Sequence, residues 1–163
     1  MLSGGYKRLC VSGAVVVVKR QQQCRALSVG VATLPELTLL FRGSHPPPLV
    51  IDVRDPEEVL SGKGGPPHAI EGSVNVPLNH EGIGQRERLT TLDEFMTKIQ
   101  EKHVNLPRNK GDVIVTHCGS GGRGGKAAAL LRRAGYVNAV NGGGPSIIAS
   151  AIKGGIDSGI SVQ

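Results

Sequence analysis

Apolar residues fall along this chain in short runs rather than long stripes. Leu49-Val50-Ile51-Asp52-Val53 is one continuous run, and Val113-Ile114-Val115 forms the core of another, from Asp112 to His117. Both have the length of a buried strand. Ser73 to Val76, stopped by Pro77, and Val137 to Val140 are shorter candidates, and Ser28 to Ala32 reads as an edge strand. Between these runs the period changes. Leu92, Phe95, Met96 and Ile99 recur at i, i+3, i+4 and i+7, which gives a helix over Leu92 to His103 with one apolar face.

The helix starts carry capping signals. Thr33-x-x-Glu36 opens a short helix through Leu40, and Thr91-x-x-Glu94 opens the helix at Leu92. Asp55 is an N-cap, Pro56 takes the first helical position, and Glu58 completes the box. Gly43 to Pro48 and Gly62 to Pro67 are loops. Lys126 to Ala134 reads as a helix ended by Gly135, and Pro145 starts a closing helix up to Lys153 after the turn Gly142-Gly143-Gly144. Strands thus alternate with helices. The pattern predicts an α/β fold with a small parallel sheet of about five strands, covered by helices on both faces. The predicted domain spans 28–153, between a leader, 1–27, and a flexible tail, 154–163.

Composition sharpens this picture. The chain has 163 residues, enough for one core. Hydrophobic residues make up 39% of it, aromatics only 2%, and Trp is absent, so Val, Ile, Leu and Ala must build the interior. The net charge of +6 is localised: residues 1–34 hold five basic residues and no acid, and the remainder is nearly balanced, with 14 basic and 13 acidic residues. The basicity therefore belongs to the leader, and no basic stripe with interleaved aromatics suggests a nucleic-acid partner. The acid-free leader resembles a mitochondrial transit peptide, and Arg25-Ala26-Leu27-Ser28 is similar to a matrix-protease site, so a mitochondrial matrix location is expected. The apolar run Cys10 to Val18 falls short of the roughly 20 residues needed to span a bilayer.

Cysteine usage points to chemistry. Cys10 and Cys24 lie in the leader, which leaves Cys118 as the one thiol of the predicted domain. That pattern suits a working thiol in a reducing compartment, not a disulfide scaffold. Cys118-Gly119-Ser120-Gly121-Gly122-Arg123 follows a strand and precedes a helix. Such a glycine-rich loop can turn successive N–H groups inward, and the helix N-terminus and Arg123 add positive charge. All three favour thiolate over thiol, and thiolate is the nucleophile. Four residues separate Cys118 from Arg123, a ring sized for a sulfur-bearing group. Cysteine phosphatases and arsenate reductases place five there, for a phosphate-sized cradle. Gly119 to Gly124 also fits a dinucleotide-binding fingerprint, but no acid occurs between Asp112 and Asp157 where one would be needed.

The chain resembles the rhodanese homology domain, in its single-domain thiosulfate-sulfurtransferase-like form. Residues 49–58 are similar to the family's first signature, and His68-Ala69-Ile70-Glu71-Gly72-Ser73-Val74-Asn75-Val76-Pro77 to its second. Val113 to Arg123 matches the active-site strand and loop, Lys126 to Gly135 the next helix, and Val137 to Gly143 the last strand and turn. The resemblance implies that Cys118 attacks the sulfane sulfur of an anionic donor such as thiosulfate. A persulfide forms, held by Gly119, Ser120, Gly121, Gly122 and Arg123, and passes sulfur to cyanide, glutathione or another thiol. It implies supporting roles for Asp52 and Arg54, no metal or organic cofactor, and room for a protein partner. The alternative within the same family is a non-catalytic binding module. Gly119 stands where many active members have Arg or Lys, and Gly122, Gly124 and Gly125 predict a flexible loop and helix start. His117 reads as a packing residue whose side chain diverges from Cys118, His68 and Asn75 as loop-ordering residues, and Lys126, Arg132 and Arg133 as a solvated helix face, with Lys126 near enough to the pocket mouth to attract an anionic donor as its alternative.

Overall fold

The computed structural model describes residues 30–79 and 90–157. The leader, residues 28–29 of the first candidate strand, and residues 158–163 lie outside them. Helix α1 (Leu34–Gly43) leads into strand β1 (Leu49–Asp52), helix α2 (Pro56–Leu60) and strand β2 (Val74–Asn75). Helix α3 (Leu92–Glu101), strand β3 (Ile114–His117), helix α4 (Gly122–Arg133), strand β4 (Ala139–Asn141) and helix α5 (Pro145–Asp157) follow.

The sheet is parallel throughout, in the order β2-β1-β3-β4. Among the described residues it has four strands where about five were expected. The fifth candidate contributes a single parallel bridge, Val31 to Asn141, with Ala32 N–H donating to the Asn141 carbonyl at 2.8 Å. Period-two alternation along the strands builds two cores. Ile51, Ile114 and Ala139 face one side with Phe95 and Ile99 of α3 and Ala127, Ala128 and Leu131 of α4. Val50, Val115 and Val140 face the other, with Leu37 of α1 and Ile148 and Ala151 of α5. Both faces of each central strand are therefore buried, which is why these segments read as unbroken apolar runs.

The capping boxes form as expected. Thr33 with Glu36, Asp55 with Glu58 and Thr91 with Glu94 each satisfy the first amides of their helix. Gly135 takes φ +96° just past α4. Helix α5 runs four residues beyond Lys153, into the segment expected to be tail.

The largest departure is the start of α4. Its first residue is Gly122, not Lys126, so three glycines and Arg123 of the expected loop are helical. Gly121 is the N-cap at φ +94°, and Gly125 N–H donates to its carbonyl at 2.8 Å. Glycine is a poor helix former, but packing overrides propensity here. A Cβ on Gly124 would lie 2.7 Å from Asn141 Oδ1 and 3.2 Å from both His117 Cα and the Thr116 carbonyl. Only a residue without a side chain lets the first turn of α4 press against the ends of β3 and β4. Thr116 Oγ1 fastens the contact, donating to the Gly124 carbonyl at 2.7 Å.

Gly124→Ala is expected to lower stability by about 1–3 kcal/mol through overpacking, seen as a fall in Tm. Gly122→Ala, where a Cβ would meet nothing within 4 Å, should leave Tm unchanged or raise it.

Candidate active site

Cys118 follows the end of β3, on the floor of a cavity of about 950 Å³. Its side chain is 2% exposed and packs with the apolar core on one side. Its other side meets the turn into α4. Gly121 N–H donates to Sγ at 3.1 Å. Burial pushes the thiol up, but donation from the backbone N–H groups of Gly124, Ser120, Gly121 and Arg123 outweighs it, and the group ionises below its ordinary value. The expected inward-facing amides are thus present. They stand at the N-terminus of a twelve-residue helix rather than in a free loop, so the helix dipole adds to them.

The cradle is braced from behind. Cys118 N–H donates to the Gly143 carbonyl at 3.1 Å, and Gly142 N–H to the Thr116 carbonyl at 2.8 Å. Buried Asn141 links the two walls: its Nδ2 donates to the Gly121 carbonyl at 3.0 Å, and its Oδ1 accepts from Gly143 N–H at 3.1 Å. Sequence reasoning missed Asn141. Its signal was a polar residue ending an apolar strand immediately before a glycine turn.

Asp52 and Arg54 lie beneath the site as a buried pair. Arg54 Nε reaches Asp52 Oδ1 and Oδ2 at 3.0 Å, and Nη2 reaches Oδ2 at 2.5 Å. The remaining donors go to the Lys63 carbonyl at 2.8 Å and the His68 carbonyl at 2.6 Å. Asn75 Nδ2 donates to the carbonyls of Asp52 and Arg54 at 3.1 and 2.9 Å. This cluster ties the loop carrying Lys63 and Gly64 to the sheet. A Cβ on Gly64 would lie 2.5 Å from Gly119 Cα, so the loop touches the cysteine turn backbone to backbone.

Arg123 departs from expectation. Its backbone N–H faces the thiol, but its guanidinium is engaged by α2: Nη1 lies 2.5 Å from Glu58 Oε2 and 3.4 Å from Asp55 Oδ2. Burial pushes Glu58 up, yet the bonds from Arg123 and Lys63 and the Asp55 amide prevail and bring it down to about 2. Glu58 and Asp55 read in the sequence as caps, and they serve also as the anchor of Arg123. The neighbouring glycines are likewise constrained by contacts: Gly121, Gly124 and Gly125 are buried.

His117 is fully buried beside Asp52, with Nε2 3.8 Å from Oδ2, and neither ring nitrogen has a hydrogen-bond partner in the protein. Burial lowers its pKa. The Asp52 carboxylate pulls the other way, and the Arg54 cation reinforces burial. Its ring turns to Asp52 while the Cys118 thiol turns to the cradle. On α4 the expected solvated face divides. Lys126 and Arg133 line the cavity, whereas Arg132 Nε donates inward to the Ala139 carbonyl at 2.8 Å. Among the described residues, no group of three or more His, Cys, Asp or Glu is arranged to hold a metal ion, and no helix is long and apolar enough to cross a membrane.

A family model described as Rhodanese-like domain matches residues 35–145. The chain belongs to the rhodanese-like domain family. A search of curated proteins finds no match. The matched span of the rhodanese-like domain runs from α1 to the first residue of α5 and contains the whole cysteine cradle with its Asp52–Arg54 support. Membership implies sulfurtransferase-type or related chemistry in general terms.

Two pH effects follow. Alkylation of Cys118 by iodoacetamide should show a midpoint below the roughly 8.5 of a free cysteine; a midpoint above it would mean that burial dominates the amides. Stability should fall in two windows on acidification. His117 is neutral in the fold, with a lowered pKa, so its contribution is complete above 6.5 and is lost as pH falls through its folded value. Glu58 contributes above 4.5 and loses its share as pH drops toward about 2. Urea unfolding of His117→Phe should lack the upper window and keep the lower one.

Proposed function

We propose that this domain is a sulfurtransferase working through a persulfide on Cys118. The observation that carries the reading is a thiol at the N-terminus of α4 that accepts from Gly121 N–H at 3.1 Å and lines a cavity of about 950 Å³. In the first step the Cys118 thiolate attacks the sulfane sulfur of a donor such as thiosulfate. The Sγ–S bond forms, the S–S bond of thiosulfate breaks with its electron pair, and sulfite leaves. In the second step an acceptor such as cyanide or a thiolate attacks the outer sulfur of the persulfide. The Sγ–S bond breaks, and the thiolate returns to the cradle that stabilised it at the start. The amides that lower the thiol's pKa also make it a better leaving group in this return step. Ser120 and Gly122 line the cavity beside the thiol, where the outer sulfur would sit.

The spacing of Cys118 and Arg123 supports sulfur over phosphate. So does the engagement of Arg123, since a guanidinium held by two carboxylates is poorly placed to clamp a phosphoryl group. The place of Cys118 in the cavity lining favours catalysis over a non-catalytic module. The basic leader, residues 1–27, supports a mitochondrial matrix setting.

Mass spectrometry after incubation with thiosulfate should show one sulfur atom gained on Cys118 and lost again on adding cyanide. Cys118→Ser should gain none, and its thiocyanate production should fall to background. No gain from thiosulfate, 3-mercaptopyruvate or a low-molecular-weight persulfide would overturn the reading.

A further inference from the structure

The cavity is much larger than any inorganic donor, and its charge is unevenly distributed. At the thiol end four charged side chains form a closed set. Arg123 lies 2.5 Å from Glu58 and 3.4 Å from Asp55, and Lys63 Nζ lies 2.8 Å from Glu58. Two cations therefore face two carboxylates, and Gly119 adds nothing to the balance. Among the described residues, the cations of this set are both paired.

The other end differs. Gly122, Lys126, Ala129 and Arg133 all line the cavity. They recur at i, i+4, i+7 and i+11, so they form one stripe along α4 leading away from the thiol. At 1.5 Å per residue, Arg133 lies about 16 Å along the axis from Gly122, and Lys126 about 6 Å. Both cations are exposed, and no carboxylate among the described residues pairs with either. Leu78 and Leu92 supply an apolar part of the lining. Among the described residues, the groove thus offers a charge-balanced set at Arg123, Lys63, Glu58 and Asp55, some apolar surface, and two cations along α4 with no carboxylate partner.

We propose that the α4 groove is a subsite for the distal end of an extended organic thiol or persulfide, whose terminal carboxylate is held by Lys126 and Arg133. The inference rests on the sulfurtransferase reading and assigns its organic substrate by charge placement. In the transfer step the substrate thiolate attacks the outer sulfur of the Cys118 persulfide. The new S–S bond forms on the substrate, the Sγ–S bond breaks, and the electron pair stays on Cys118. The carboxylate takes no part in the step. It orients the thiol and raises its local concentration by charge attraction.

Two iodoacetamides that differ only at the far end of a six-carbon chain, one ending in carboxylate and one in hydroxyl, test the groove without requiring sulfur transfer. Wild-type Cys118 should be alkylated at least tenfold faster by the carboxylate reagent. In Lys126→Glu/Arg133→Glu the ratio should fall to about one or below, and in Lys126→Gln/Arg133→Gln to an intermediate value. Circular dichroism would show that both variants fold. The persulfide form, discharged by 6-mercaptohexanoate and by 6-mercaptohexanol, should give the same order of ratios. Equal alkylation by both reagents in the wild type, or a ratio unmoved by charge reversal, would overturn the proposal; the groove would then receive another occupant, such as a protein segment. Charge-selective alkylation in a protein that no donor loads with sulfur would leave the groove standing and remove the sulfurtransferase reading.

Discussion

The site depends on how closely the first turn of α4 approaches the ends of β3 and β4. That approach brings the amides of residues 120, 121, 123 and 124 to bear on one sulfur atom. It is possible because Gly124 has no side chain to separate the helix from Thr116, His117 and Asn141, and because Gly121 adopts a left-handed conformation as the N-cap. A buried thiol would ordinarily hold its proton more tightly. Backbone N–H groups at the start of α4 reverse that preference, with fixed dipoles already oriented in the ground state.

Charged side chains play a different part. Arg54, with no exposed surface, saturates Asp52 and two loop carbonyls, and this pins the 63–68 loop to the sheet. Truncating one member of such a pair strands a buried charge, at a cost of about 3–5 kcal/mol. Arg123 is held by α2 in the same manner. Arg123 and Lys63 are thus structural, and the cations with no carboxylate partner among the described residues stand farther along α4. A glycine at position 119 fits this division: the cradle handles sulfur through backbone, and side-chain charge acts at a distance.

Rhodanese-like membership is consistent with each of these features, and the glycine content of this chain acquires a specific explanation. Apart from the exposed Gly122, the glycines around the thiol are held in place by contact. Gly64 meets Gly119, Gly124 meets the ends of two strands, and a Cβ on Gly144 would lie 2.8 Å from the Gly119 carbonyl. The turn around Cys118 is assembled from backbone surfaces packed directly on one another.

Much was legible in the sequence. Unbroken apolar runs at Leu49 to Val53 and Val113 to Val115, period-3.6 burial in α3, three capping boxes and Gly135 after α4 are local patterns whose physics acts within a few residues, and each forms as read. Cys118 stood out because it is the one thiol of the predicted domain and lies between a strand and a glycine-rich turn. The start of α4 was not legible, since helix propensity argues against three glycines and only contact with Asn141 and Thr116 reverses it. The partners of Arg123 come from α2, more than sixty residues away, so no local pattern points to them. Residue identity and local periodicity determined the elements and the nucleophile. Tertiary packing decided which charges cancel and which remain free, because electrostatic pairing depends on distances in space that sequence separation does not encode.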